Sequence, residues 1–318
     1  MGISLQDAQS VFTDTGLRTQ YGVILPPGAR VAAYVRSTGF QSGDDSFLSS
    51  NLVATLAAGL ARVRAGLGDF VVCLPGHAET WVAADTTAVS AALSSGAKII
   101  GIGTGLNQPS FTFNATAASL AVSVPNVSII GCLFLLDGIN AVVNAFNITG
   151  ADFQFLYNEL ETSTTAKAAT TVMTLGTGAQ RANIVGNIFR GLASVPSTNG
   201  ILVSGAINDA RICDNEMVFA TTTTNGNINI TGVAVGLKIL RNVINNTVAA
   251  SITAINYANV AITGQARDNT LTVLSTGAVS AGVTGINVGG TNNLTGYFNN
   301  FTVNDPNKSG LLTPAVDT

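Results

Sequence analysis

The sequence predicts an all-β fold, a right-handed single-stranded parallel β-helix with an N-terminal capping helix and an extended N-terminal arm. Three observations predict it: a nine-residue pattern recurs every 26 to 30 residues, apolar residues alternate within each copy, and an asparagine usually ends the alternation. A fixed period of this length is typical of proteins whose repeats stack only on their neighbours. Alternation with period two indicates strands.

The pattern is clearest in six copies along the middle of the chain. They are NVSIIGCLF at 126–134, DFQFLYNEL at 152–160, RANIVGNIF at 181–189, DARICDNEM at 209–217, GLKILRNVI at 236–244 and TGQARDNTL at 263–271. The positions five and three before the asparagine, and two after it, are mostly apolar, so we expect them to stack as core columns. A coil of this length with three short strands indicates a parallel β-helix, and the preference for right-handed crossovers gives its hand.

The asparagines that end the alternation are predicted to have a structural role. Asparagine tolerates a left-handed backbone and can bond to nearby main-chain groups. Because stacked coils lie about 4.8 Å apart, we expect a ladder of side-chain amides formed by Asn158, Asn187, Asn215, Asn242 and Asn269. In the position just before, Asp214, Arg241 and Asp268 are expected to form exposed ion pairs worth about 0–1 kcal/mol each.

The sequence divides into four segments. They are an arm at 1–44, a capping segment at 45–67, the β-helix at 68–304 and a tail at 305–318. Leucines at 48, 52, 56 and 60 recur every four residues and Gly66 follows them, which predicts a helix over 46–65. We expect this helix to cover the first coil, since an uncovered strand edge invites pairing with another chain.

The arm has no strand or helix periodicity, yet it is rich in apolar and aromatic residues. We therefore predict that it binds a partner. The predicted contact residues are Phe12, Leu17, Arg18, Tyr21, Leu25, Arg30, Tyr34 and Arg36.

Two apolar columns are expected to face outward from the coils. A continuous exposed apolar stripe marks an interaction surface, and a second copy around a rotation axis is an economical partner, so a homotrimer is expected. The predicted subunit-interface residues are Ile130, Leu133, Leu156, Val185, Ile188, Leu240 and Val243. The alternative is that another segment of the same chain covers the stripe.

Composition argues against several classes of function. Charged residues make up 10% of the chain and the net charge is −3, so no basic surface predicts nucleic-acid binding. Residues 117–136 have the length of a membrane span and no charge, but Pro125 and the alternation favour strands, so we predict no membrane span. No secretory signal is visible, and three cysteines separated by whole coils do not suggest a disulfide framework.

No catalytic, metal or cofactor residue is predicted. Glycoside hydrolysis needs two carboxylates about 5–10 Å apart, and the candidate clusters are Glu159 with Glu161 and Asp209 with Asp214 and Glu216. They lie among Thr, Ser and Ala, without the aromatic residues of a sugar groove. His77 is the sole histidine and follows a strand in a Pro-Gly turn, so we expect a turn hydrogen bond there.

Two stretches carry a resemblance to a known family. GDFVVCLPGHAE at 68–79 and IIGIGTGLNQPSFTF at 99–113 resemble a family of tailed-bacteriophage virion proteins with a right-handed parallel β-helix. The resemblance covers about residues 30–135 and implies structural roles for Gly76, His77, Gly101 and Gly103, with no catalytic residue.

The family resembles head cement or decoration proteins encoded beside the major capsid protein. The resemblance therefore implies a protein made in the host cytoplasm that binds the major capsid protein on the outer capsid surface. The alternative is a tail fibre or tailspike that binds or cleaves a host glycan.

Overall fold

A computed structural model describes most of the chain between residues 28 and 311. The described residues are 28–39, 51–136, 138, 142–162, 168–191, 196–221, 225–247, 253–259, 261–273, 286–288, 293–298, 301–303 and 310–311.

The described strands form three sheets that wind into a right-handed parallel β-helix of about 7 turns, which confirms the predicted fold class. The first sheet contains β1 (Val31–Val35), β2 (Leu52–Val53), β3 (Phe70–Cys73), β5 (Lys98–Gly101), β8 (Ser128–Ile130), β11 (Gln154–Leu156), β14 (Asn183–Val185), β17 (Ile207–Asn208), β18 (Arg211–Cys213), β21 (Ala234–Leu240), β24 (Ile262–Arg267) and β27 (Asn293–Phe298). The second contains β4 (Ala78–Trp81), β6 (Ser110–Phe113), β9 (Leu133–Leu135), β12 (Glu159–Glu161), β15 (Ile188–Arg190), β19 (Glu216–Val218), β22 (Val243–Asn246), β25 (Thr270–Val273), β28 (Phe301–Val303) and β29 (Gly310–Leu311). The third contains β7 (Leu120–Val122), β10 (Val142–Ile148), β13 (Ala169–Leu175), β16 (Asn199–Val203), β20 (Ile228–Ile230), β23 (Ile255–Tyr257) and β26 (Ile286–Val288).

Equivalent residues of successive coils stack directly on one another. In the first sheet Ile129 pairs with Phe155 and Phe155 with Ile184, and all three are buried. Large side chains also stack between sheets, and the Phe134 and Phe146 ring centroids lie 4.9 Å apart. Burying each such side chain contributes about 1.5–3 kcal/mol, so the core is a set of columns that every coil extends by one residue.

The corners on both sides of the first sheet use left-handed backbone. Residues before the strand, such as Asp152 (φ 57°), and residues after it, such as Asp214 (φ 57°) and Arg241 (φ 53°), have positive φ. Gly131 (φ 70°) and Gly186 (φ 69°) occupy the second corner in other coils. Asn, Asp and Gly adopt this conformation most easily, which explains why these residue types recur there.

The asparagine after the second corner forms a continuous buried ladder. Each Oδ1 accepts hydrogen bonds from the main-chain N–H and the side-chain amide of the preceding coil's asparagine: Asn187 Oδ1 lies 2.9 Å from Asn158 N and 3.3 Å from Asn158 Nδ2. Each Nδ2 also donates to a carbonyl, as Asn187 does to Phe155 O at 2.8 Å. The same arrangement continues through Asn215, Asn242 and Asn269, all of which are buried. At the other end Asn158 Oδ1 accepts from Cys132 N at 3.0 Å.

The N-terminal cap differs from the predicted single helix over 46–65. Leu52 and Val53 form strand β2 beside β1, and the helix that follows, α1 (Leu56–Leu60), has five residues. The recurrence of leucine every four residues led to the wrong prediction, because Leu52 belongs to a strand, where it packs on the outer side of the sheet. Gly59 in α1 lies so close to Val71 that a Cβ would be 2.8 Å from Cγ1, so α1 packs against the inner side.

A second helix, α2 (Ala83–Ala92), occupies the place of a third-sheet strand in the first coil. Two of its hydroxyls accept hydrogen bonds from the main chain at β7, the edge strand of the third sheet. Ser90 Oγ accepts from Ala121 N at 2.9 Å, and Thr86 Oγ1 accepts from Ser119 N at 3.2 Å. These side chains satisfy main-chain donors that would otherwise be open to another strand. The sequence reading placed this stretch in an ordinary coil.

The β-helix also begins earlier than residue 68. Strand β1 pairs in parallel with β3, with Tyr34 opposite Val72, so residues 31–35 belong to the first sheet and not to an extended arm. Residues 1–27 and 40–50 lie outside the described residues.

Replacing Asn187 by Leu should destabilise the fold by about 3 kcal/mol. The substitution removes the acceptor of the buried Asn158 N–H and the hydrogen bonds that the Asn187 amide donates to Phe155 O and Asn215 Oδ1, and an unsatisfied buried group costs about 1–3 kcal/mol. The free energy of unfolding, measured in urea, checks it. Asn183→Ala in the same coil is the control, because Asn183 is only half-buried and should change stability by less than about 0.5 kcal/mol. Equal effects of the two changes would contradict a stabilising ladder.

Candidate functional site

A buried carboxylate joins the cap to the first coil. Asp69 precedes β3, and its side chain is fully buried. Its oxygens accept four hydrogen bonds: from Arg64 Nε (2.8 Å), Arg64 Nη2 (2.7 Å), Arg64 N (3.1 Å) and Arg30 N (3.1 Å). The side-chain hydrogen bonds from Arg64 lower the pKa of Asp69 to about 2, against the opposing effect of burial. Arg64 Nη2 also donates to Gly28 O at 2.9 Å, which fixes the chain where it enters β1.

A second polar pair, the buried His77 and the largely buried Glu79, lies at the start of β4. His77 Nδ1 accepts from Ser37 N at 3.0 Å, so the neutral ring carries its hydrogen on Nε2. Glu79 accepts from the Leu56 N–H through Oε1 and from Trp81 Nε1 through Oε2 at 2.7 Å. His77 Nε2 also lies 3.0 Å from Glu79 Oε1, without the alignment of a hydrogen bond.

The motif residues implied by the resemblance therefore contact main chain. His77 accepts a hydrogen bond from the Ser37 N–H, just after β1, and Glu79 accepts one from the Leu56 N–H, at the start of α1. We call this region, from β1 to α1, the cap. Gly103 (φ 130°) approaches Asn107 so closely that a Cβ would lie 2.3 Å from its carbonyl oxygen. A side chain at Gly101 would likewise lie 2.5 Å from Gly131 O. These positions build the first coils and place no group in an open cleft.

The outer side of the first sheet carries a second apolar cluster, separate from the central core. We call it the outer cluster: it consists of Tyr34, Phe70, Val72, Leu74, Ile100, Ile102 and Ile130, with Ala29, Val31, Leu52 and Leu156 packed partly against it. Neighbouring residues such as Val71, Ile99 and Ile129 belong to the central core, as expected from strand alternation. Burial raises the pKa of the Tyr34 hydroxyl.

The predicted interface residues fall into two groups. Ile130 (0% exposed) and Leu240 (5%) are buried within the single chain, so the expectation that they are free to contact another subunit is wrong. Ile130 is buried because it is part of the outer cluster. Leu133, Leu156, Val185 and Ile188 are half-buried and Val243 is 49% exposed, so these five residues remain accessible.

Three of the predicted arm contacts lie in the coil region. Tyr34 is buried in the outer cluster, the Arg30 N–H binds Asp69, and the Arg36 N–H donates to Val53 O at 3.0 Å. These residues hold the first sheet together, so their predicted place in a free arm is wrong. Phe12, Leu17, Arg18, Tyr21 and Leu25 lie outside the described residues.

Two of the five carboxylates weighed for catalysis, Asp214 and Glu159, form ion pairs between adjacent coils. Asp214 binds Arg241 through two contacts of 2.7 Å, and Glu159 pairs with Arg190. A third pair, Asp152 with Arg181, has contacts of 2.7 and 2.6 Å. Asp268 lies 3.9 Å from Arg267 instead of extending the pair formed by Asp214 and Arg241. Such exposed pairs contribute about 0–1 kcal/mol each.

The described ranges contain no group of three or more metal-ligating side chains. Neither of the α-helices described in them has the length and the apolar composition of a membrane span. A cleft at the corner of the second and third sheets, near Leu160, Phe189, Arg190 and Phe219, has room for about one water molecule.

No family model, curated protein or solved structure matches this chain. Function is therefore inferred from the geometry and from the two motif stretches. Sequence reasoning singled out His77 but missed Asp69 and Glu79 as the carboxylates that bind the cap. The available signal was that both lie inside the 68–79 motif, with Arg64 just before it.

Stability should fall in acid because of Asp69. Its folded pKa of about 2 is below the ordinary 3.8, so its contribution is complete well above pH 4 and is lost as the pH falls from about 4 to 2. Asp69→Asn should cost about 2 kcal/mol at pH 7 and progressively less toward pH 2, measured by denaturant unfolding across that range. Asp152→Asn, in an exposed pair, should cost less than about 1 kcal/mol. A pH-independent difference between Asp69→Asn and the unchanged protein would contradict this role.

Proposed function

We propose that this chain is a structural protein of a tailed-phage virion, a cement or decoration protein that binds the outer surface of the major capsid lattice and stabilises the head. The carrying observation is that the polar residues of the shared motif, His77 and Glu79, bind the main chain of the cap. Because these polar side chains are used to hold the main chain, the motif favours a structural role over an enzymatic one.

The geometry of the coils suits a rigid clamp. The columns of buried side chains extend from β1 to β26, the asparagine ladder runs from Asn158 to Asn269, and each coil is hydrogen-bonded to the next. Two of the carboxylates that could serve a glycosidase, Glu159 and Asp214, are paired with arginines of adjacent coils. Both features favour a mechanical, head-stabilising role over the tailspike alternative, in which a groove would cleave a glycan.

Attachment to the capsid is assigned to the arm before β1. Residues 1–20 include Phe12, Leu17 and Arg18, and the reach of an extended chain is about 3.3 Å per residue, so they could cross to neighbouring capsid subunits. An extended segment that adds main-chain hydrogen bonds and fills side-chain pockets is a common binding mode. With a net charge of −3, the attachment is expected to be mainly apolar and to persist in high salt.

Self-association as a homotrimer is assigned to the half-exposed apolar residues of the outer faces. Leu156 and Val185 stack in register on the first sheet, and Leu133, Ile188 and Val243 lie on the second. Buried contact of such side chains with sister subunits would contribute about 1.5–3 kcal/mol each.

Deleting residues 2–20 should abolish binding to purified capsids while the β-helix stays folded. The reason is that the deletion removes Phe12, Leu17 and Arg18 but none of the described coils. Capsid pelleting measures the binding, and circular dichroism measures the folding. The full chain at high salt, where charge interactions are screened, is the control and should still pellet with capsids. In images of virions lacking the protein, loss of capsid-surface density supports the proposal. Loss of a tail appendage would overturn it in favour of the fibre or tailspike.

Leu156→Asp combined with Val185→Asp should yield folded monomers. Both side chains lie on the outer side of adjacent strands, and a charge buried there without a partner is strongly unfavourable. Sedimentation velocity checks the mass. Gln154→Asp with Asn183→Asp, on the same two strands and also half-buried, is the control that should leave the assembly intact. Trimers that persist in the Leu156 and Val185 variant would show that this face is not the subunit contact.

A further inference from the structure

The outer cluster is shielded from solvent in a single chain, although it faces away from the central core. Val72, Ile100 and Ile130 are fully buried and stand in register on β3, β5 and β8. Among the described residues, the partly buried apolar side chains packed against it are those of Ala29, Val31, Leu52 and Leu156. The first three belong to the end where the chain enters and Leu156 to the opposite margin, so none of these apolar side chains covers the middle of the face.

The chain enters β1 at the rim of this face. Gly28 O is held by Arg64 and the Arg30 N–H by Asp69, and Ala29 between them packs against the cluster. Whatever precedes Gly28 therefore starts at the edge of the apolar surface, and its first residues cannot be far from it.

The residues that precede Gly28 have the composition to cover such a surface. Residues 19–27 read TQYGVILPP and carry no charge, with Tyr21, Val23 and Leu25 at alternate positions. Pro26 and Pro27 have no main-chain N–H that an apolar surface would leave unpaired.

The lengths also agree. The face spans β1, β3, β5 and β8, which is about 14 Å at the spacing of strands in a sheet. Seven extended residues reach about 23 Å. Residues 21–27 are thus long enough to cross the face from its rim.

We propose that the outer cluster, from Tyr34 to Ile130, is the docking site of the chain's own residues 21–27. Tyr21, Val23 and Leu25 then fill the face, and the arm is available to a partner only before residue 21. This assignment does not depend on the capsid role, because it concerns the isolated protein.

Two full-length variants test the proposal. Val23→Asp with Leu25→Asp places charges in the docked segment, whereas Phe12→Asp with Leu17→Asp makes the same charge change earlier in the arm. The first variant should bind a fluorescent apolar dye that the unchanged protein excludes, and it should melt at a lower temperature. The second should exclude the dye and melt as the unchanged protein does.

A truncated chain gives the complementary measurement. With residues 2–27 deleted, the protein should bind the dye, and a synthetic peptide of residues 19–28 should restore dye exclusion. A peptide with Asp at positions 23 and 25 should bind at least about tenfold more weakly, because the charges would be desolvated.

The proposal is overturned if the truncated protein still excludes the dye, melts unchanged and does not bind the peptide. The cover would then come from another part of the chain. It is also overturned if the variant with Val23→Asp and Leu25→Asp excludes the dye and melts as the unchanged protein does. Should the truncated chain fail to fold, the comparison of the two full-length variants decides.

Discussion

The constraint on which the rest of this structure depends is that equivalent residues of successive coils lie in register, one strand spacing apart. Every residue type is therefore selected for how it stacks on a copy of its own position. Apolar side chains satisfy this requirement by forming columns, as Ile129, Phe155 and Ile184 do. A buried polar group satisfies it only when it can both donate and accept along the column, and the asparagine amide meets that condition. Asn187 accepts from Asn158 and donates to Asn215, so each coil completes the hydrogen bonds of the next.

The same regularity leaves main-chain groups to be satisfied at the first described coil, because no coil precedes it among the described residues. Here side-chain oxygens accept the main-chain N–H hydrogen bonds that carbonyl groups of a neighbouring coil accept elsewhere in the solenoid. Glu79 accepts the Leu56 N–H, Ser90 accepts the Ala121 N–H, and Asp69 accepts the Arg30 N–H. Carboxylates are well suited to this task, since they accept several hydrogen bonds at once. The motif at 68–79 contains two such carboxylates, Asp69 and Glu79, because it lies where the repeat begins.

The sequence was sufficient for the fold because stacking makes the pattern periodic. The core columns, the asparagine ladder positions and the left-handed corners all repeat about every 27 residues, and the hydrogen bond between Asn215 and Asn242 joins residues 27 apart. The cap could not be derived in the same way, since it occurs once. Its leucines at 52, 56 and 60 match a helix by spacing, but Leu52 lies in β2 because that strand continues the first sheet beyond β1. Nor does spacing reveal that Asp69 meets Arg64 and Arg30, which come together only when the cap folds over the coil.

Alternation identifies which residues share a face, but it does not say whether that face is covered. Ile130, Leu156 and Val185 occupy one outward column, yet Ile130 is buried and the other two are half-buried. The column is accessible only in its middle part, because Leu240, further along the solenoid, is again buried (5% exposed). One apolar stripe can therefore serve two purposes. Its first part is covered near the entry of β1, whereas Leu156 and Val185 remain accessible to a neighbouring molecule. A stripe that looks uniform in sequence is thus divided by what packs over each coil, which alternation alone does not record.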